Sequence, residues 1–345
     1  MVGTLGLPIE TTVVFVCVVI VSLTIDLYAH KSDQRPTLKS AVLWSIFWVA
    51  VSLAYGGFLY YHHGSEVSSL FFTGYVLEKV LSVDNLFVMM AIFSWFAIPD
   101  RLRHRVLYWG VMGAIVFRAI FVAIGTGLLA FGPWVEVIFA LIVAYTAVMM
   151  LKSGGDDDEI DDYSGHIAYR LVKRLFPVWP RLTGSHFFVK NTFVAQEMEK
   201  PENQHLHVVA NSKAVWFATP LLLCLAVIEL SDVMFAFDSV PAVIAVSREP
   251  LIIYSAMIFA ILGLRSLYFV LEALKQYMSH LEKAVIVLLF FISVKLALNA
   301  TDHLFGHGLV ISANLSLVIV LSILAVGIVA SVLFPEKADD SEVNS

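Results

Sequence analysis

Long runs of apolar residues, separated by short polar segments, occupy most of this chain. A helix needs about 20 predominantly apolar residues to cross the roughly 30 Å of hydrocarbon in a bilayer. We therefore interpret nine runs as membrane-spanning helices, at residues 12–28, 41–61, 67–97, 106–131, 135–151, 215–246, 251–271, 284–300 and 309–334. The sequence predicts an all-α fold, a polytopic membrane bundle of about nine transmembrane helices.

The composition agrees with a membrane protein and argues against other classes. Hydrophobic residues make up 59% of the chain and charged residues 14%, whereas soluble domains average about 45–50% and 25%. The chain has no basic patch with interleaved aromatic residues, so we expect no nucleic acid partner. It also has no nucleophile–base pairing, phosphate-binding loop or redox motif, so we do not expect an enzyme.

Positive charge is concentrated in every second loop between the predicted spans. Loops rich in Lys and Arg face the cytoplasm, and here their charges are Lys31, Arg35, Lys39, Arg101, Arg103, Arg105, Lys275 and Lys283. We therefore predict a multi-pass protein with its N-terminus outside and its C-terminus in the cytoplasm.

The same rule predicts that the long loop 152–214 is cytoplasmic. Its acidic run, residues 156–162, is either a solvated linker or a surface that attracts cations or docks a partner. The following segment places Ile167, Leu171 and Leu175 on one helical stripe, with Arg170, Lys173 and Arg174 off it. This pattern is typical of an amphipathic helix on the inner leaflet, and the alternative is an ordinary helix packed on the loop.

The second half of the chain resembles the first. FRAIFVAI at 117–124 aligns with LRSLYFVL at 264–271, and SVDNLF at 82–87 aligns loosely with LSDVMF at 230–235, at offsets of 147 and 148 residues. A unit of three spans must insert its second copy upside down, which predicts an inverted-topology repeat as in secondary transporters. The predicted divisions are 1–66 (helices 1 and 2), 67–151 (first repeat), 152–214 (cytoplasmic loop), 215–300 (second repeat) and 301–345 (last helix and tail).

Ionisable residues inside two corresponding spans are the strongest functional signal. Each costs about 2.5–3.5 kcal/mol at mid-membrane, so a set of them is not incidental. We predict that the following oxygen-bearing residues bind a metal cation: Glu78, Asp84, Asn85, Glu229, Asp232, Asp238 and Ser239. Carboxylates, an amide and a hydroxyl, without nearby Cys or His, favour a hard ion such as Mg²⁺, Mn²⁺ or Ca²⁺.

The spacing of the acids leaves two arrangements open. Asp232 and Asp238 are six residues apart, as are Glu78 and Asp84, which separates each pair by about 9 Å along a helix. The acids either form stacked layers of one pathway or belong to a broken helix, and Pro241 favours a break in the sixth span.

Basic residues offer an alternative explanation for single acids. Pairing with Arg118, Arg265 or Lys79 would neutralise individual carboxylates, although acids outnumber bases in these spans. Asp26 and Lys295 lie near span ends, from which they are expected to reach the membrane interface.

The segments that carry these charges resemble the TerC family of membrane proteins, within a wider group of LysE-like transporters. The shared motifs are EKVLSVDNLFV at 78–88, ELSDVMFAFDSVPA at 229–242 and AILGLRSLYFVL at 260–271. The resemblance spans the chain from the first helix to the last. It implies an inner-membrane protein linked to tellurium-ion resistance, with relatives that export Mn²⁺, and it carries over the acidic positions Glu78, Asp84, Glu229, Asp232 and Asp238.

Three functions follow from these patterns. The first is efflux of a divalent cation, Mn²⁺ by the resemblance, as a transported substrate and with no organic cofactor. The second is a membrane scaffold that docks cytosolic tellurite-resistance proteins through the loop 152–214. The third, an oxyanion pump using Arg118 and Arg265, ranks last because an acidic pathway repels anions.

Overall fold

The computed structural model describes residues 7–29, 37–153, 163–203, 215–274, 281–306, 309 and 311–333. It is an all-α polytopic bundle, as predicted. The helices of the bundle are α1 (Ile9–Ala29), α2 (Leu38–Trp95), α3 (Asp100–Leu128), α4 (Pro133–Ser153), α7 (Pro220–Ile244), α8 (Pro250–Ile261), α9 (Leu264–Leu274), α10 (Leu281–Phe305) and α11 (Ala313–Leu333). Between α4 and α7 lie α5 (Ile167–Leu175), β1 (Phe188–Lys190), α6 (Asn191–Met198) and β2 (Trp216–Ala218).

Seven helices of the described chain are long and apolar enough to cross a membrane, and the bent pair α8–α9 makes an eighth. One of the seven, α2, has 58 residues. At 1.5 Å per residue it would extend about 87 Å if straight, far more than one crossing needs. Gly64 interrupts it with a non-helical backbone (φ 87°, ψ 178°), in the loop predicted between the second and third spans. The count of nine spans and the inverted repeat stay predictions.

The break predicted at Pro241 is wrong. Helix α7 continues to Ile244, and the carbonyl of Pro241 accepts a hydrogen bond from the amide of Ala245. Pro241 lies in the last turn of the helix, so only three helical residues follow the position where its ring would distort the helix.

The bend falls instead between α8 and α9, whose axes differ by 50°. Gly263 at this point has φ 79°, a conformation that side chains disfavour. A Cβ there would also lie 2.5 Å from Trp48 Cδ1, so both backbone and packing require glycine.

Helices α3 and α7 run side by side in the same direction through the core. Gly110 faces Ile228, Gly113 faces Glu229, and Gly125 faces Ile244, so contacts advance together along both helices. Small residues allow this close approach, which is how helices commonly associate in membranes. Helix α2 contacts α7 and α8, while α4 packs along α10.

The predicted loops poor in Lys and Arg lie at one end of the bundle. Glu66, Glu136, Arg248 and Ser312, which lie in or next to these four loops, line one cavity. At the other end, Arg105 donates a hydrogen bond to Ser185 of the long loop. We name these the outer and inner ends after the predicted orientation, which stays a prediction.

The long loop forms a small folded unit at the inner end. Strands β1 and β2 pair antiparallel, and Trp179, Val189, Val194 and Phe217 form a separate apolar cluster. The predicted amphipathic helix is present as α5, with the stripe of Ile167, Leu171 and Leu175 exposed. Its position on the inner leaflet stays a prediction, and the acidic run 156–162 lies outside the described residues.

Candidate functional site

Arg118 on α3 joins acidic side chains from two other helices. Its Nη2 lies 3.2 Å from Asp232 Oδ1 on α7, and its Nη1 forms an ion pair with Glu78 Oε1 on α2. Arg118 is only 1% exposed, and both carboxylates are buried. Two of the predicted metal-binding acids therefore meet in the core at a shared guanidinium.

The carboxylates of this cluster keep unused oxygen atoms. Ser82 Oγ lies 3.3 Å from Glu78 Oε1 and donates to it. Among the described residues, Glu78 Oε2, Asp232 Oδ2 and Glu229 Oε2 are buried and have no hydrogen-bond partner. A buried oxygen without a partner is costly, so these three atoms indicate a ligand or water position.

Glu229 lies one helical turn before Asp232 and packs against a glycine on α3. A Cβ built on Gly113 would lie 2.1 Å from either carboxylate oxygen of Glu229. Only a residue without a side chain leaves room for the carboxylate there. We therefore describe the cluster as Glu78, Arg118, Glu229 and Asp232, and refer to it below as the carboxylate cluster.

The other predicted ligands follow the cluster acids along α2 and α7. Asn85 is buried, and Ser239 is buried with an Oγ that has no partner in the described part of the chain. The backbone is helical at Asp84 and Asp238, but their side chains lie outside the described set. Among the described side chains, no three of His, Cys, Asp or Glu are grouped closely enough to hold a metal ion.

The remaining buried bases are held away from the cluster. Arg265 Nη2 lies 2.9 Å from Asp26 Oδ1, so Asp26 pairs within the bundle. Lys79 Nζ donates to the carbonyls of Ala260 and Leu262 at 2.9 and 3.2 Å. The bend at Gly263 frees carbonyls at the C-terminus of α8, where a cation is favourable.

The expectation that Lys295 reaches the interface is wrong, because it is 3% exposed and lies inside the bundle.

Sequence reasoning missed Ser82 and Gly113. Ser82 lies one turn after Glu78, a spacing that brings both side chains to one face and could have suggested the contact. Gly113 carries no such local signal, because its role depends on a residue 116 positions later.

Comparison with known proteins gives the family. A sequence profile of the "Integral membrane protein TerC family" matches residues 63–339. A "Tellurium resistance protein TerC" of Serratia marcescens is 67% identical over 341 residues, covering 99% of both chains. Another of that name from Alcaligenes sp is 68% identical over 335 residues and 97% of both chains.

A more distant relative has a different name. A "Putative membrane-bound redox modulator Alx" of Photorhabdus laumondii subsp. laumondii is 35% identical over 318 residues, covering 90% of both chains. No solved structure matches the chain. The profile match and the two nearly full-length relatives show that this multi-pass membrane protein belongs to the integral membrane protein TerC family.

Proposed function

We propose that this protein transports a divalent metal cation, Mn²⁺ in particular, out of the cytoplasm through the carboxylate cluster. The observation that carries this proposal is the meeting of Glu78 and Asp232, from α2 and α7, with unpartnered buried oxygens. Ionisable residues inside a membrane bundle commonly line ion pathways, and Arg118 pairs with only one oxygen of each of these two carboxylates.

The cluster holds more acids than bases. It has three carboxyl groups and one guanidinium, so each carboxyl that is ionised beyond the first would need a further positive charge, which a bound cation can supply. Asp84 and Asp238, about two turns further along continuous helices, would add acidic positions to the pathway. Arg118 would hold Glu78 and Asp232 together while the cation is absent.

The ligand chemistry supports a hard ion. Carboxylate, amide and hydroxyl oxygens suit Mg²⁺, Mn²⁺ and Ca²⁺ better than soft, thiolate-seeking metals. The family resemblance favours Mn²⁺ within that group. In this proposal the protein works in the inner membrane, with its C-terminus in the cytoplasm, and takes the ion from the inner end.

Flux through inverted membrane vesicles tests the proposal. Vesicles with the wild-type protein should accumulate Mn²⁺, and Asp232→Asn or Glu78→Gln should lower the rate. Losing a charged ligand costs about 1.5–3 kcal/mol, so the rate at limiting Mn²⁺ should fall roughly ten- to a hundredfold.

Glu10→Gln is the matched control, because Glu10 is an exposed carboxylate at the start of α1. This variant should transport at the wild-type rate. Wild-type flux by Asp232→Asn at normal expression would show that the cation does not use this cluster.

A second function, docking of a cytosolic resistance protein, is favoured by the folded inner loop. Its apolar cluster around Trp179 and its paired strands make it a structured element rather than a linker. Replacing residues 163–203 with a flexible linker distinguishes the two functions. Loss of tellurium-ion resistance with unchanged Mn²⁺ flux would support docking, whereas loss of flux would place the loop within the transport machinery.

A further inference from the structure

The cavity at the outer end of the bundle is separate from the carboxylate cluster, because none of the four cluster residues lines it. Its volume is about 330 Å³, and residues from α2, α4, α10 and α11 and from the segment after α7 line it. Lys295 and Asn299, one turn apart on α10, share this lining. The cavity therefore combines a buried lysine with an amide on one helix face.

Lys295 is a buried base, and the described residues give it no counter-ion. It is 3% exposed, and it has no hydrogen bond or ion pair with any described residue. A buried ammonium with no partner is costly unless a negative charge accompanies it. The cavity is the space in which such a charge would lie.

The acids of the cavity do not supply that charge. Glu136 forms an ion pair with Arg248, and its other oxygen lies 3.5 Å from His303 Nδ1. Glu66 is exposed at the cavity rim and is not within ion-pair distance of Lys295. Lys295 therefore has no opposite charge within ion-pair distance among the described lining residues.

The N-terminus of α11 adds hydrogen-bond donors to the same cavity. Ile311, Ser312 and Ala313 line it at the point where this helix of 21 residues begins. The first amides of a helix have no backbone partner within it, and the helix dipole favours an anion there. The amide of Leu315 already donates to Ser312 Oγ, so the amides of Ala313 and Asn314 are the ones left for an anion. Asn299 also lines the cavity, and its side-chain NH2 group is a further donor.

We propose that this outer cavity binds a small oxyanion, with the Lys295 ammonium as its counter-charge. The donors come from different sides: the ammonium, the Asn299 amide, the Ser312 hydroxyl and the first amides of α11. An oxyanion has several acceptor atoms that can meet such a spread of donors, whereas a halide has one. The site opens to the outer end and does not rest on cation transport.

Calorimetric titration of the full-length protein in lipid nanodiscs tests the site, with sulfate as the probe. Sulfate should bind saturably, and Lys295→Met should weaken it by about tenfold or more. Lys283→Met makes the same change at an exposed position of the same helix and should leave the affinity unchanged.

A second variant covers the case in which Lys295→Met does not fold. Asn299→Asp places a carboxylate one turn from Lys295, so it should compete with sulfate and also weaken binding by about tenfold or more. The proposal would be overturned if sulfate did not bind saturably to the wild-type protein. It would also be overturned if both cavity variants bound sulfate with the wild-type affinity. Chloride binding as tightly as sulfate would overturn the oxyanion class. The calorimetric titration measures anion binding and not cation flux, so its outcome is independent of the transport assay.

Discussion

At the scale of single residues, Arg118 determines whether the core tolerates its acids. It contacts Glu78 and Asp232 at once, and all three side chains are buried. Removing one partner of a buried ion pair leaves an uncompensated charge, which destabilises proteins by about 3–5 kcal/mol. We therefore expect Arg118→Met to lower the free energy of unfolding by about that amount, measured by denaturant titration in detergent.

Two further variants show whether charge is the cause. Arg101→Met removes an exposed arginine from the same helix and should change stability little. Adding Glu78→Gln and Asp232→Asn to Arg118→Met removes the stranded charges and should restore most of the loss. A triple variant as unstable as Arg118→Met would indicate that packing, and not charge, is what Arg118 contributes.

Substitution of Gly113 tests the position of the Glu229 carboxylate and leaves the charge of the cluster unchanged. The Cβ of Gly113→Ala would overlap the Glu229 carboxylate, which must move because it is the free end of its side chain. We expect Mn²⁺ flux to fall while the amount of folded protein stays normal. Gly127→Ala on the same helix has open space around its Cβ and should leave flux unchanged. Normal flux in Gly113→Ala would mean that the position of Glu229 is unimportant for transport.

The sequence predicts the buried acids but not how they are paired. Glu78, Glu229 and Asp232 stand out because charge is rare in apolar runs, and this signal is local. That Arg118 contacts the first and last of them depends on residues 40 and 114 positions away from it in the chain. Apolar periodicity carries no information about such distances, so the sequence left Arg118 as one possible partner among several.

At the scale of helices, breaks follow backbone conformation more closely than residue type. Pro241 was expected to break α7 and does not, because it lies in the last turn. Gly263 bends the α8–α9 pair, and no sequence pattern distinguishes it from the other 18 glycines. What marks it is its positive φ and the indole of Trp48 beside it.

Substitution of Gly263 tests the bend. Gly263→Ala must adopt a disfavoured backbone conformation, which costs about 1–3 kcal/mol, and must also displace Trp48. We expect a lower midpoint in thermal unfolding. The effect of Gly263→Ala can also be measured in a Trp48→Ala background. A smaller fall in the unfolding midpoint there than in the wild-type background would be the steric part of the effect. Unchanged stability in Gly263→Ala would show that this bend is not required.

At the scale of the whole molecule, the charge pattern of the loops predicts orientation. Residues in or next to the loops poor in Lys and Arg lie together at one end of the bundle. All of these loops must therefore face the same side of the membrane. Single cysteines in a background without Cys17 and Cys224 can test which side this is. Cysteine at Phe131, an exposed outer-end residue, should react with an impermeant maleimide in intact cells.

A position at the inner end provides the matched comparison. Cysteine at Arg181, exposed on the folded loop, should react only in inverted vesicles. The reverse labelling pattern would show that the predicted orientation is wrong. Transport from the end named inner to the end named outer would then be uptake.

The overall architecture is more predictable than the arrangement of its parts. Apolar run length predicts an all-α membrane bundle and places the helices to within a few residues, because lipid imposes that length. The bend at Gly263 and the break at Gly64 within α2 depend on backbone angles at single glycines. The inverted repeat stays a prediction, since α3 is continuous where the aligned α8–α9 pair is bent.

The proposed transport requires a cation to bind between α2 and α7 at the carboxylate cluster. Anomalous diffraction at the manganese edge, from crystals grown with Mn²⁺, tests this directly. We predict a peak within coordination distance of Asp232 and Glu78, absent from crystals of Asp232→Asn. Well-ordered crystals with no peak there, and with Arg118 still joining both carboxylates at saturating Mn²⁺, would contradict the account.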